Sequence, residues 1–186
     1  MWVESNTGLI YQLTPFETEA LIAHNDYRKI HKATELVFDQ ELRDQCKTWA
    51  DAIAATGTIE DSASKNGENI WFKPNATEVL GKEPVDSWYE EINDYDFSSP
   101  GFSSLTSKFT QLIWKETTHM GISYSVGEAG LFVVAQYRPA GNSKNPRVFA
   151  SNVLSETKTP LEILGSTSES LSDQNVPLDI TGTKPC

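Results

Sequence analysis

The sequence predicts an α/β protein built as a layered sandwich, and three observations support this prediction. Apolar residues recur at helical spacing in two early segments, around residues 16–30 and 42–53. Two strands joined as a hairpin come late, at 119–125 and 131–137. The second strand is apolar on both faces and should therefore be covered on each side. Helices that cover both faces of a sheet give a layered α/β fold.

Composition limits the classes of function that the chain can have. Its 186 residues suit one domain with a substantial core, and 38% hydrophobic residues argue against wholesale disorder. The net charge of −11 repels phosphate groups, so we expect no nucleic-acid partner that is held by general electrostatics. No apolar run approaches the roughly 18 residues of a membrane span, so no transmembrane segment is predicted.

The first residues and the cysteines bear on the cellular compartment. The start has an acidic residue at Glu4 and lacks a basic region followed by an apolar one, so it does not resemble a signal peptide. Two cysteines, Cys46 and Cys186, are too few for a disulfide scaffold. We therefore expect a cytoplasmic protein, with membrane association as an option. The alternative is an extracellular protein that is exported unconventionally or whose leader is missing from this sequence.

Capping residues define where the first two helices begin. Thr14, Pro15 and Glu17 form a capping box with proline at the first helical position. Asp39 is expected to cap the second helix. Cys46 lies on the apolar face of that helix, and we interpret it as a small buried hydrophobe rather than a nucleophile.

The middle of the chain is less regular. Residues 57–82 are polar and are predicted to be mainly loop, and a helix should begin near Glu83. The apolar run 109–114 is too short to assign by periodicity alone. The sequence 126–130 should form the loop of the late hairpin.

The composition changes near residue 155. From there to Cys186 the chain is acidic, rich in Ser and Thr, and without an aromatic residue. Such a segment cannot bury enough apolar surface to offset its ordering entropy, which predicts a disordered tail. The predicted organisation is an N-terminal extension at 1–13, a folded domain at 14–154 and a tail at 155–186.

Six segments of the chain follow one another in a pattern that resembles a known family. They are HNDYR (24–28), GENIW (67–71), WYEEI (88–92), FTQLIWKET (109–117), MGISY (120–124) and VVAQYRPAGN (133–142). In this order they resemble the CAP superfamily, also called SCP/TAPS, which includes cysteine-rich secretory proteins, venom antigen 5 and plant pathogenesis-related proteins of group 1. The resemblance covers about residues 16–154, and the cysteine usage is similar to that of the intracellular, Golgi-associated branch.

The resemblance implies a fold and a range of functions. The implied fold is a three-layer α-β-α sandwich. The implied function is non-enzymatic binding of a lipid, such as a sterol or fatty acid, or of a protein partner. Two alternatives are a metal-dependent hydrolase and an interaction module that forms a homodimer through its cleft.

The family's central cleft usually carries two glutamates and two histidines that can hold zinc. The glutamates correspond to Glu68 and Glu91, whereas Lys108 precedes FTQ where a histidine is usual, and Asp61 matches the other histidine. Zinc prefers imidazole or thiolate ligands, and a protonated lysine has no lone pair to offer. The resemblance therefore implies no tight zinc site, and we expect Lys108 to pair with Glu68 or Glu91.

Two other interpretations of the cleft stay open. Asp61, Glu68 and Glu91 offer oxygen ligands for weak binding of Ca²⁺ or Mg²⁺. Glu68 or Glu91 is also a candidate general base, although no nucleophile can be assigned, so no catalytic residue is named. The histidines do not restore a metal site, since we expect His24 to be structural and His31 to interact with the helix dipole.

An aromatic-rich loop follows the predicted helix that carries WYEEI. Family members have been linked to sterol binding through such a loop, and ligand sites are mostly apolar with a few polar anchors. We expect the lipid or partner to contact Tyr89, Tyr95, Phe97 and Phe102. The acidic residues of this loop discourage adsorption to anionic membranes, which favours a single bound lipid.

Overall fold

The computed structural model describes residues 1–4, 8 and 10–156 of the chain. The predicted disordered tail therefore lies outside the described residues from 157 onward. In chain order the elements are β1 (Trp2–Glu4), β2 (Ile10–Gln12), α1 (Pro15–Ile30), β3 (Val37–Phe38), α2 (Gln40–Thr56), β4 (Gly67–Pro74), α3 (Lys82–Tyr89), a 3₁₀ helix (Glu90–Asp94), α4 (Ser107–Ile113), β5 (His119–Gly127), β6 (Gly130–Arg138) and α5 (Pro146–Asn152).

Four strands form the main sheet, in the order β3-β5-β6-β4. β3 runs parallel to β5, while β5 and β4 each pair antiparallel with β6. β6 is thus an inner strand, and every residue from Gly130 to Tyr137 is buried. The prediction of a strand covered on both faces is confirmed.

Side chains of β6 alternate between two apolar clusters, one on each face of the sheet. Phe132 and Val134 pack with the buried face of α2, including Cys46. Leu131 and Val133 pack on the other side, with residues of α1, α3 and α4. The described part of the chain therefore has three layers, with α2 on one face of the sheet and α1, α3 and α4 on the other.

The predicted caps are present. The backbone N–H of Glu17 donates to the hydroxyl of Thr14 at 3.2 Å, and the backbone N–H of Thr14 donates to the carboxylate of Glu17 at 2.8 Å. At α2 the carboxylate of Asp39 accepts from the backbone N–H of Leu42 at 3.1 Å. Both helices begin where the capping residues place them.

Arg28 joins α1 to the connection between α4 and β5. Its guanidinium is fully buried and donates to the carbonyl oxygens of Thr34, Leu112, Trp114 and Thr117 at 2.7–2.9 Å. Burial lowers the pKa of Arg28 to about 10, which still leaves it protonated at neutral pH. The N–H groups of Arg28 thus provide hydrogen bonds for carbonyl oxygens at the C-terminal end of α4, where no partner within α4 is available.

The sequence prediction did not include three of the elements. Residues 57–82 are mostly irregular, as predicted, but β4 runs through them from Gly67 to Pro74 as an edge strand. The unassigned run at 109–114 belongs to the short helix α4. The segment after β6, which carried no prediction, forms α5, with Asn145 as its cap. No helix within the described residues has both the length and the apolar character needed to cross a membrane.

Candidate functional site

Glu91 caps the start of α4 from outside that helix. One of its carboxylate oxygens accepts from the backbone N–H groups of Lys108 at 2.9 Å and Phe109 at 3.1 Å. The residue at the usual cap position, Thr106, makes no capping hydrogen bond with its side chain. The other oxygen of Glu91 lies 3.2 Å from Nζ of Lys108. Of the two pairings that the sequence left open for Lys108, the structure contains the one with Glu91.

Glu68 belongs to a second hydrogen-bonded cluster. Its carboxylate accepts from the backbone N–H of Ser62 at 2.7 Å, the hydroxyl of Ser62 at 2.6 Å and the side-chain amide of Gln136 at 2.8 Å. Gln136 is its register partner on β6. Both oxygens of Glu68 are therefore engaged by neutral donors.

The two clusters lie on opposite faces of β4, because successive side chains of a strand alternate. Glu68 is on the face that packs toward α2. The next residue, Asn69, is on the other face and donates from its side-chain amide to the carbonyl oxygen of Lys108 at 3.0 Å. Asp61 is exposed and precedes Ser62. Among the described residues, no group of three or more His, Cys, Asp or Glu side chains is arranged to hold a metal ion.

A groove with a volume of about 950 Å³ opens beside the Glu68 cluster. It runs between β3, the first half of α2 and the loop at 62–64, and Ser62 and Gln136 line it. Its remaining lining residues are Val37, Phe38, Asp39, Gln40, Glu41, Asp44, Gln45, Thr48, Trp49, Ala63, Ser64 and His119. The groove thus combines an apolar part, provided by β3 and Trp49, with a polar rim.

Most aromatic side chains of the predicted lipid loop pack into the protein. The ring of Tyr95 lies 4.8 Å from that of Phe97 and 5.6 Å from that of Phe109. Tyr89 stacks on Tyr27 with ring centroids 3.8 Å apart. Tyr89, Tyr95 and Phe97 are partly buried against the core on the α1 side of the sheet.

The end of the same loop is open to solvent. Phe102 is 51% exposed and Leu105 is 73% exposed. The exposed apolar surface of this loop therefore comes from its far end and includes Leu105, which sequence reasoning did not select.

Two buried histidines have structural partners. In His24, Nδ1 donates to the carbonyl oxygen of Ala20 at 2.7 Å and Nε2 lies 2.9 Å from the hydroxyl of Tyr137. Both ring nitrogens of His24 thus have protein partners, as expected for a structural residue, and burial lowers its pKa to about 4. His31 was expected to act through the helix dipole. That interpretation is wrong, because His31 is buried and burial lowers its pKa, which favours the neutral ring.

These motifs and this geometry agree with the comparisons with known proteins. A family model described as the CAP, cysteine-rich secretory protein, family matches residues 21–137. The chain belongs to the CAP family. Human Golgi-associated plant pathogenesis-related protein 1 is 40% identical over 149 residues, which cover 77% of this chain and 95% of the human protein.

Two further CAP relatives show how far the likeness extends. Protein PRY2 of Saccharomyces cerevisiae is 34% identical over 142 residues, which cover 75% of this chain and 41% of the yeast protein. The crystal structure of NaASP2 with Zn²⁺ has a TM-score of 0.61 at 18% identity and covers 78% of this chain and 87% of that one. The structural likeness confirms the α-β-α sandwich of the CAP fold.

Proposed function

We propose that this CAP protein is a non-enzymatic binding protein whose ligand lies in the groove between β3 and α2. The observation that carries the proposal is the groove itself, a concave site of about 950 Å³ with an apolar part at Val37 and Trp49. Ligand sites are typically preformed, largely apolar clefts with a few polar groups that orient the ligand. Ser62 and Gln136 also line the groove, and their hydrogen bonds to Glu68 hold this part of its wall in place.

The hydrogen bonds of the two glutamates argue against hydrolytic chemistry. A general base needs a lone pair directed at the proton that it removes. Glu91 caps α4 and pairs with Lys108, and Glu68 accepts three hydrogen bonds from Ser62 and Gln136. Both carboxylates thus serve to hold neighbouring segments in position.

The donor set also does not fit zinc. In this chain the cleft positions offer an ammonium group at Lys108, an exposed Asp61 and two carboxylates that lie on different faces of β4. Zinc sites in proteins use imidazole, thiolate and carboxylate ligands that converge on one point. We therefore do not infer a zinc site in this chain from the Zn²⁺ in the structure of NaASP2.

A variant that fills the groove with a large side chain tests the proposal. Nile red, an uncharged apolar dye, should bind to the wild-type protein with a rise in fluorescence. Ala63→Trp places a large side chain in the exposed loop that lines the groove and should weaken binding at least tenfold. Ala129→Trp adds the same bulk at an exposed turn on the β5-β6 hairpin and should leave binding unchanged. Equal binding by both variants would refute the groove as the ligand site.

A second candidate function, lipid contact, rests on the exposed end of the aromatic loop. Phe102 and Leu105 present apolar side chains to solvent, whereas Tyr95 and Phe97 are packed inside. We would measure binding of the fluorescent sterol dehydroergosterol to Phe102→Ser with Leu105→Ser. Loss of binding relative to Leu80→Ser, a control at another exposed leucine, would favour the loop as a lipid site.

A further inference from the structure

We propose that the groove takes a basic segment of a partner polypeptide, in which lysine or arginine side chains alternate with apolar ones. This inference rests on the proposed function, because it assigns a ligand class to the same groove. Three features carry it, which are the charge of the rim, the apolar part of the wall and the charge of the whole chain.

The charged side chains that line the groove are acidic. Asp39, Glu41 and Asp44 lie along one side, and the lining residues, all within the described part of the chain, include neither lysine nor arginine. The side chains of Glu41 and Asp44 are 64% and 61% exposed, so a ligand can reach them from solvent. Asp61, which precedes the lining residue Ser62 in the sequence, is exposed as well.

Two arginines lie next to the rim without reversing its charge. Arg138 is 3.5 Å from Glu41 and 3.9 Å from Asp39, and Arg43 is 3.2 Å from Asp44. The pairs of Arg138 with Glu41 and of Arg43 with Asp44 are exposed, and such pairs contribute at most about 1 kcal/mol, so a ligand cation can share or replace them. Asp39 is buried, so its pair with Arg138 is not open to a ligand. Arg43 also lies 3.5 Å from Glu17, which leaves its positive charge divided between two carboxylates.

The wall between the acids is apolar. Val37 is 55% exposed, and Trp49 is half-buried, with its indole N–H donating to the carbonyl oxygen of Glu60 at 3.0 Å. This hydrogen bond fixes the ring, whose face can accept an aliphatic side chain or a cation. A ligand with both apolar and basic side chains therefore matches the groove better than an apolar or a basic ligand alone.

Charge also decides among possible occupants. The net charge of −11 attracts basic polypeptides over long distances and repels anionic lipid headgroups. The chain's own segment 157–186 carries four acidic and two basic residues, so it lacks the charge that the groove favours. A neutral sterol would gain nothing from Glu41 and Asp44. The observations thus favour a basic segment of another polypeptide.

Calorimetry with short synthetic peptides tests the inference. The probe is a capped ten-residue peptide that alternates lysine and leucine, and the matched probes replace lysine by serine, lysine by glutamate, or leucine by serine. The lysine–leucine peptide should bind at least tenfold more tightly than any of the other three. It should also compete with Nile red, and Ala63→Trp should weaken its binding.

Charge-reversal variants test the rim directly. The double variant Glu41→Lys with Asp44→Lys should weaken binding of the lysine–leucine peptide at least tenfold. Both changes replace an exposed negative charge of the groove with a positive one that repels the lysines of the peptide. Glu78→Lys with Glu90→Lys changes the net charge equally at exposed positions elsewhere and should weaken binding less than threefold. Equal losses in the two double variants would overturn the inference, since net charge alone would then explain the binding.

The outcomes separate this inference from the proposed function. If the serine–leucine peptide binds as tightly as the lysine–leucine peptide and Ala63→Trp blocks both, the groove remains a ligand site and the basic-segment inference is wrong. If Ala63→Trp affects neither peptide nor dye, the proposed function itself is wrong. If dehydroergosterol displaces the dye and no peptide does, a lipid is the occupant and the inference is overturned.

Discussion

Nδ1 of His31 lies 2.6 Å from the carbonyl oxygen of Leu154. A carbonyl oxygen can only accept, so Nδ1 carries a proton and donates it to this hydrogen bond. The contact connects the C-terminal end of α1 to the segment that follows α5. On its other side, Nε2 of His31 lies 2.9 Å from the hydroxyl of Tyr89. One buried ring thus links three segments that are distant in the sequence.

Replacing His31 by alanine should loosen that connection. The substitution leaves the carbonyl of Leu154 and the hydroxyl of Tyr89 without this partner, and such a loss costs about 1–3 kcal/mol. We expect a lower free energy of unfolding in urea and faster amide exchange at residues 153–156. His119→Ala, at a less buried histidine, is the control and should change stability by less than about 0.5 kcal/mol. Unchanged exchange at 153–156 would contradict the assigned role.

His24 should make stability depend on pH. Its pKa is about 4 in the folded state and about 6.5 when unfolded, so the unfolded chain binds more protons between these values. The contribution is complete above about pH 6.5 and declines as the pH falls toward 4, with a total on the order of 3 kcal/mol. We expect His24→Gln, which cannot titrate, to show a shallower decline in urea unfolding over this range. Parallel curves for the two proteins would show that His24 is not the cause.

Glu91 should matter more for stability than Lys108. Glu91→Gln weakens two hydrogen bonds to backbone N–H groups at the start of α4, and Glu91→Ala removes them, which should cost about 1–2 kcal/mol. Lys108→Met removes only a partly exposed ion pair and should cost less than about 1 kcal/mol. Urea unfolding of the three variants measures the difference. A larger loss for Lys108→Met than for Glu91→Ala would disprove the capping role.

The aromatic loop should divide into structural and surface residues. Phe97→Ala removes a partly buried ring that packs on Phe109 and His31, and it should destabilise the fold by about 1–3 kcal/mol. Phe102→Ala changes an exposed side chain and should have an effect within about 0.5 kcal/mol. Thermal unfolding distinguishes them. A loss of stability in Phe102→Ala as large as that in Phe97→Ala would contradict this division.

Neither the wild-type protein nor a variant with histidines at positions 61 and 108 should bind zinc at micromolar concentration. Calorimetry on the wild-type protein is expected to show no binding at micromolar zinc, because Lys108 supplies no lone pair. Asp61→His with Lys108→His introduces two imidazoles that lie on different faces of β4, so this double variant should also show no binding at micromolar zinc. Micromolar binding by the wild-type protein would mean that its zinc ligands are other residues, and it would reopen the hydrolase alternative.

Local signals in the sequence were sufficient for the helices α1 and α2 and for the β5-β6 hairpin. The caps at Thr14 and Asp39 act over three residues, and the hairpin joins neighbouring segments. β4 was missed because its polar residues Glu68 and Asn69 suggest a loop, while its pairing partner, β6, lies about 60 residues further along the chain. α5 has a usable signal in Asn145 followed by Pro146, which sequence reasoning did not apply.

For the site, the sequence identified the residues better than their partners. The salt bridge of Lys108 was expected, but the bonds of Glu91 to the backbone of α4 depend on the angle at which that helix starts. The hydrogen-bond partners of His31 were also not predictable from local sequence, because they are 58 and 123 positions away. Burial of Tyr95 and Phe97 depends on how the loop folds back, which no local pattern indicates.

The cap on α4 has a consequence for how this cleft changes over evolutionary time. Glu91 accepts from the backbone N–H of residue 108, and every amino acid except proline offers that group. The side chain at 108 can therefore be exchanged while the helix keeps its cap. Selection on the chemistry of the cleft can then act at this position with little penalty in folding.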